Sequence, residues 1–203
     1  DDRSLAGIKG TYELGDALDT VVSVYFVADI DQSLIDGTDD EKAETIYVPG
    51  IHVSTNPIEG LNLQVEAAHQ SGAYINQGVV LADENAQNRD AWAVQFISNY
   101  QVPVLEEYNP VVKYMWSFFS GDEANSPQSN EGDYNAWEEM YESQYSDFIF
   151  DDLIALTDLQ VHTLALSGNP IEDVTTTLRW SYLRLAGNAP ANTAVGTLST
   201  STI

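Results

Sequence analysis

Eight stretches of this chain alternate apolar and polar residues with a period of two, and the links between them are short and long by turns. The stretches are 5–14, 18–29, 45–55, 61–70, 90–100, 109–119, 159–168 and 174–186. Such alternation puts successive side chains on opposite faces of a β-strand. It is cleanest in "LNLQVEAAHQ", where Leu61, Leu63, Val65 and Ala67 share one side and Asn62, Gln64, Glu66 and Gln70 the other. In 109–119, Val112, Tyr114, Trp116 and Phe118 oppose Lys113 and Ser117. In 174–186, Val174, Leu178, Trp180 and Tyr182 oppose Thr175, Thr177, Arg179 and Ser181. A strand of about ten residues crosses a bilayer when tilted.

The links decide what the strands build. Residues 15–17, 56–60 and 169–173 are tight, and 101–108, with Pro103, is intermediate. Residues 30–44, 71–89 and 120–158 are long and polar or acidic. An outer-membrane barrel segregates its links in this way, with tight turns on the periplasmic rim and long loops outside. A β-sandwich has no cause to do so. The expected fold is therefore all-β: an antiparallel transmembrane β-barrel of about eight strands, one domain over 1–203, with long acidic loops on one rim. If the short turns are periplasmic, the first strand starts outside and the last ends outside. Complete bacterial barrels begin and finish in the periplasm, so a larger barrel with at least one more strand at each end is expected. A closed barrel of eight strands would fill its interior with side chains.

Two of the tight links are near copies, "NPIEG" at 56–60 and "NPIED" at 169–173. Proline fixes its own φ and pushes the preceding Asn out of the helical region, so Asn-Pro opens a turn. Gly60 gives a permissive backbone where the first copy ends, and Asp173 holds that place in the second. The copies are expected to be equivalent hairpin corners on one rim.

Charge excludes some partners. The chain has 32 acidic and 7 basic residues, a formal net charge of −25. Nucleic acid needs Lys and Arg to replace its counterions and is not an expected partner. A cationic solute, metal cations or plain solubility fit this balance. With no cysteine there are no disulfides or thiolate metal sites. No apolar run reaches the ~20 residues of a transmembrane helix. The opening "DDRSLAGIKG" lacks the apolar core of a signal peptide, so the chain is either not exported or trimmed.

Catalytic chemistry finds no anchor. His52, His69 and His162 match no metal motif, and no G-x-S-x-G elbow exists. Carboxylate pairs such as Glu138/Glu139 and Asp151/Asp152 are expected by chance in so acidic a chain. No enzyme and no bound metal are expected. Weak Ca²⁺ binding by the acidic stretches 36–44 and 121–133 is the one cofactor reading left, although neither has EF-hand spacing.

If the apolar sides meet lipid, Asn62, Gln64, Glu66, Lys113, Ser117, Arg179 and Ser181 line the interior. Trp92, Tyr100, Trp116, Phe118, Trp180 and Tyr182 are then candidates for the interfacial aromatic girdle, with Phe119 beside them.

Three longer stretches carry a family likeness: "YNPVVKYMWSFFSGD" (108–122), "YNAWEEMYESQYSDFIF" (134–150) and "LQVHTLALSGNPIEDVTTTLRWSYLRLA" (159–186). They resemble the alginate-export type of outer-membrane porin. The resemblance implies a barrel of about eighteen strands that passes solutes across a Gram-negative outer membrane. It also implies that 134–150 folds over or into the pore. The alginate exporter lines its pore with positive residues. This chain has only 7 basic ones, so passive diffusion of small or cationic solutes, with oligosaccharide export as a variant, is the expected function. Outer-membrane lipid and lipopolysaccharide are the expected partners, with a homo-oligomer or other outer-membrane components as further ones. Two readings compete: a secreted β-sandwich binding carbohydrate through Trp137 and Tyr141, and a structural or interaction protein of the cell surface bridged by divalent cations.

Overall fold

The computed structural model describes residues 3–31, 44–75, 86–122, 133–139 and 156–187. Their strands form one sheet, antiparallel throughout, in chain order. The strands are β1 (Arg3–Glu13), β2 (Val21–Asp31), β3 (Glu44–Ile58), β4 (Leu61–Ile75), β5 (Ala86–Gln101), β6 (Val111–Phe119), β7 (Leu159–Ile171) and β8 (Val174–Leu185). A single 3₁₀ turn, Glu106–Tyr108, sits in the β5–β6 link. All eight expected strands are present. The largest displacement is in β4, which runs to Ile75 rather than ending at 70. Its last rungs pair with β5 as far as Ile75↔Ala86, so the long link begins later than the polar sequence suggests.

Both Asn-Pro corners extend their strands. The registers of β3–β4 and β7–β8 shift between Thr55 and Ile58 and between Gly168 and Ile171, so Asn-Pro forms a bulge inside the strand. Proline is tolerated there because a bulge releases it from donating to the ladder. Ile58↔Leu61 and Ile171↔Val174 then close matching two-residue turns. Gly60 has φ +76° and Asp173 φ +67°, so the turn needs the same left-handed residue in both copies. Glycine is doubly required in the first: a Cβ at Gly60 would stand 2.9 Å from the Gln101 carbonyl.

A register of this kind gives every strand two faces. One sheet holds all eight strands, as the barrel reading expects, and among the described residues no second sheet faces it as in a sandwich. No ladder joins β1 to β8 among the described residues, and β1 is exposed along its whole length. One face is packed near the long-link rim, where Ile46, Val48, Ala68, Ala91, Met115, Phe119, Leu159 and Val161 meet Trp137 and Leu156. Burying the Ile, Val, Leu, Met and Phe side chains among these stabilises by about 1.5–3 kcal/mol each. That packed face is called inner here, and the opposite one outer.

Candidate functional site

The outer face is greasy and open. Ile8, Val24, Phe26, Ile51, Val65, Leu164, Leu166 and Leu178 lie on it, all exposed, Ile8 at 74% and Leu178 at 72%. Among the described strands it carries two charged side chains, Asp90 and Arg184, both at long-link ends. Asp90 Oδ1 lies 2.7 Å from His69 Nε2, and Arg184 Nη2 donates to Gln160 Oε1 at 2.6 Å. On β5 the charge-free run from Asp90 to the end of the strand is residues 91–101. At about 3.4 Å per residue and a tilt of about 40°, such a run rises about 29 Å, enough for the apolar band of about 25 Å in outer-membrane barrels.

All six girdle candidates are on this face. Trp92 stands at the long-link end, its ring 4.5 Å from that of His69, and Tyr100 at the short-turn end opposite Leu61. Phe118 is near the long-link end of β6, whereas Trp116, Trp180 and Tyr182 lie mid-strand. Phe119 differs: it points inward and is only 6% exposed, because the alternation sends it opposite to Phe118. His162 Nδ1 is 2.9 Å from the Tyr114 hydroxyl, an ordinary outer-face partner.

The inner face collects polar side chains that are far apart in sequence. Asn62, Gln64 and Glu66 on β4, Lys113 and Ser117 on β6, and Arg179 and Ser181 on β8 all share it. Lys113, Ala165 and Arg179 form one row across β6, β7 and β8. Gln95 Nε2 donates to Ser117 Oγ at 3.0 Å, Thr163 Oγ1 and Ser181 Oγ are 2.9 Å apart, and Tyr25 Oη donates to Glu66 Oε1 at 2.7 Å. Five of the six described basic residues are inward: Arg3, Lys9, Arg89, Lys113 and Arg179. Scarce as they are, the described cations are concentrated on the inner face.

Residues 133–139 lie against this face. The Tyr134 amide donates to Asn88 O at 2.7 Å and the Asp90 amide to Tyr134 O at 2.9 Å, a short parallel bridge beside Arg89. Gln70, fully buried, donates to Glu138 O at 2.7 Å and accepts from the Glu138 amide at 3.0 Å. Arg89 Nη2 reaches Glu44 Oε1 at 2.7 Å and Glu138 Oε2 at 2.8 Å. Its guanidinium carbon is 5.4 Å from the Tyr74 ring centre and 5.2 Å from that of Tyr134, and these rings stack at 3.6 Å. Burial, with Tyr74 next, pushes the Tyr134 phenol well above its usual range, so it stays neutral.

Sequence reasoning missed this clamp. Arg89 could have been suspected as a lone cation at an inward position of an acidic chain, but its partners lie 45 and 49 residues away. Trp137, a surface sugar-binding aromatic on the competing sandwich reading, is 7% exposed and packs on Phe119, because it is the apolar underside of the docked segment. Tyr141, Asp151, Asp152 and most of the acidic stretches 36–44 and 121–133 lie outside the described residues. Among those described, no three His, Asp or Glu side chains group as a metal site. Glu44 is engaged by Arg89, and Asp122 Oδ1 accepts from the Asn135 amide.

Beneath Trp137 a pocket of about 310 Å³ remains open on the inner face. Tyr25, Glu66, Gln95, Phe119 and Trp137 line it together with small aliphatic residues. Tyr25 reaches Glu66 because Gly50 has no side chain: a Cβ there would come within 2.1 Å of Tyr25 Cζ.

An antiparallel meander with an exposed, nearly charge-free outer face and a polar inner face crossed by a docked segment is built as wall of a transmembrane β-barrel. The chain belongs to the alginate-export family, whose model, described as "Alginate export", matches residues 6–196. That is a transport family of outer-membrane β-barrels, and the all-β chain agrees with that location. No curated protein and no solved structure matches the chain.

Proposed function

We propose that the protein is an outer-membrane channel through which small solutes, cations preferred, and short glycans diffuse passively. The observation that carries this reading is the partition of charge between the two faces. Among the described strands, two charged side chains occur on the outer face, both at its long-link end, whereas the inner face has five cations and carboxylates including Glu13, Asp29, Asp31, Glu44 and Glu66. A lipid-facing charge at mid-depth costs about 2–4 kcal/mol, so a wall cleared of charge on one side is matched to hydrocarbon. Asn62, Gln64, Glu66, Lys113, Ser117, Arg179 and Ser181 then line the lumen.

The seven named lining positions hold two cations and one carboxylate, so the cation preference rests on the chain's overall charge and on the pairing of the other inward cations. Arg3 is paired with Asp29, and Arg89 with Glu44 and Glu138. Their positive charge is therefore locally cancelled, while the chain as a whole carries −25. Residues 133–139 narrow the passage. The outer face meets lipid, including lipopolysaccharide on the long-loop side.

Reconstitution of the full-length protein into planar bilayers tests the reading. Discrete conductance steps with a reversal potential displaced toward the cation are expected. A protein that stays monodisperse without detergent and never conducts would overturn it.

A further inference from the structure

The pocket beneath Trp137 has a chemistry more specific than a water-filled lumen requires. At about 310 Å³ it reaches the lower end of small-molecule sites, which span about 300–1,000 Å³. Three aromatic rings line it: Tyr25 from β2, Phe119 from β6 and Trp137 from the docked segment. Phe119 and Trp137 have ring centres 6.5 Å apart and planes inclined at 45°, so the two rings are tilted rather than stacked. Glu66 is the one charged residue among those lining the pocket, and none of the lining residues is basic. Tyr25 donates to its Oε1 at 2.7 Å, which fixes the carboxylate in place beside the rings.

We propose that this pocket binds an organic ammonium ion. Aromatic faces attract a cation through their quadrupole, most strongly where water is displaced. A carboxylate half-shielded from solvent adds an attraction that a neutral ligand cannot use and a carboxylate-bearing one would oppose. Gly50 is part of the device, because only a residue without a side chain lets the Tyr25 ring cross β3 to reach Glu66. The chain's excess of negative charge raises the local concentration of such cations. The apolar remainder of the lining suits a compact, methylated ammonium head better than a strongly hydrated metal ion.

The inference deepens the channel reading by naming a solute class, and it rests on that reading for access to the pocket from the lumen. Binding and conduction are measured separately, so either can fail alone. Isothermal titration of the full-length protein in neutral detergent uses choline, its uncharged isostere 3,3-dimethyl-1-butanol, and glucuronate. Choline is expected to saturate one site, the isostere and glucuronate to give no saturable heat, and Glu66→Gln to weaken choline at least tenfold. Gly50→Ala, which displaces Tyr25, is expected to weaken it too. Equal binding of the neutral isostere, undiminished binding by Glu66→Gln, or no saturable heat with choline would each overturn the proposal, whatever the conductance.

Discussion

Asn56 Oδ1 accepts a hydrogen bond from Asn62 Nδ2 at 2.9 Å, and Asn169 Oδ1 accepts one from Thr175 Oγ1 at 3.1 Å. Each Asn thus ties its bulge to the residue six places on, across the hairpin. Asn56→Ala and Asn169→Ala should each cost about 1 kcal/mol, the net worth of one such bond. Gly60→Ala should cost more, from its positive φ and the crowded Gln101 carbonyl, whereas Asp173→Gly should stabilise by up to about 1 kcal/mol. Urea unfolding of the protein folded in lipid vesicles reads all four. If Asp173→Gly destabilises as much as Gly60→Ala, the two corners are not equivalent.

Removing Arg89 strands two carboxylates against the wall. Arg89 is buried but Glu138 is 39% exposed, so the cost falls below the ~3–5 kcal/mol of a fully buried pair, and Arg89→Ala should loosen residues 133–139 from the wall. Faster proteolysis of that segment and a larger single-channel conductance are expected together. Unchanged conductance after proteolytic release would show that the segment does not narrow the passage.

Charge on the outer face should be penalised by depth. Val65→Arg, paired with Phe96 midway along the charge-free stretch of β5, should destabilise by about 2–4 kcal/mol, and Ala73→Arg, at the long-link end, by about 0–1. Folding equilibria in vesicles give both. Equal penalties would remove hydrocarbon as the cause.

The β1–β2 turn should respond to acid. Asp16 accepts from the Thr20 amide and from its hydroxyl, both at 2.8 Å, and these bonds, the backbone one first, hold its carboxyl below the usual carboxylate range. A depressed folded pKa contributes order that is fully present above the unfolded value of about 3.9 and is lost as pH falls through the folded one. Amide exchange at Thr20, corrected for intrinsic rates, should therefore lose protection only below that range. Asp16→Asn should flatten this dependence; a dependence that survives it must come from another group.

Reversing lumen charges should move selectivity in opposite directions. Arg179→Glu should shift the bilayer reversal potential toward the cation and Glu66→Lys toward the anion. No shift with either would mean that the two faces have been exchanged.

The sequence disclosed whatever depends on local alternation. The strands, the side on which Glu66, Lys113 and Arg179 fall and the likeness of the two corners were all legible, because neighbours two residues apart decide them. Strand ends were less so: Asn56-Pro57 reads as the start of a turn but lies in a bulge, which only the register across to Leu61 reveals. Contacts over long separations were illegible. Nothing near Gln70 announces that it will hold Glu138, 68 positions away, or that Gly50 exists to let Tyr25 through to Glu66.

Residues 133–139 are fastened to the wall by the same side chains that fill its interior. A wider bore therefore means a looser wall, since undocking bares Trp137 and Leu156 along with the strands they cover. On the channel reading, throughput and durability are set against each other in this molecule.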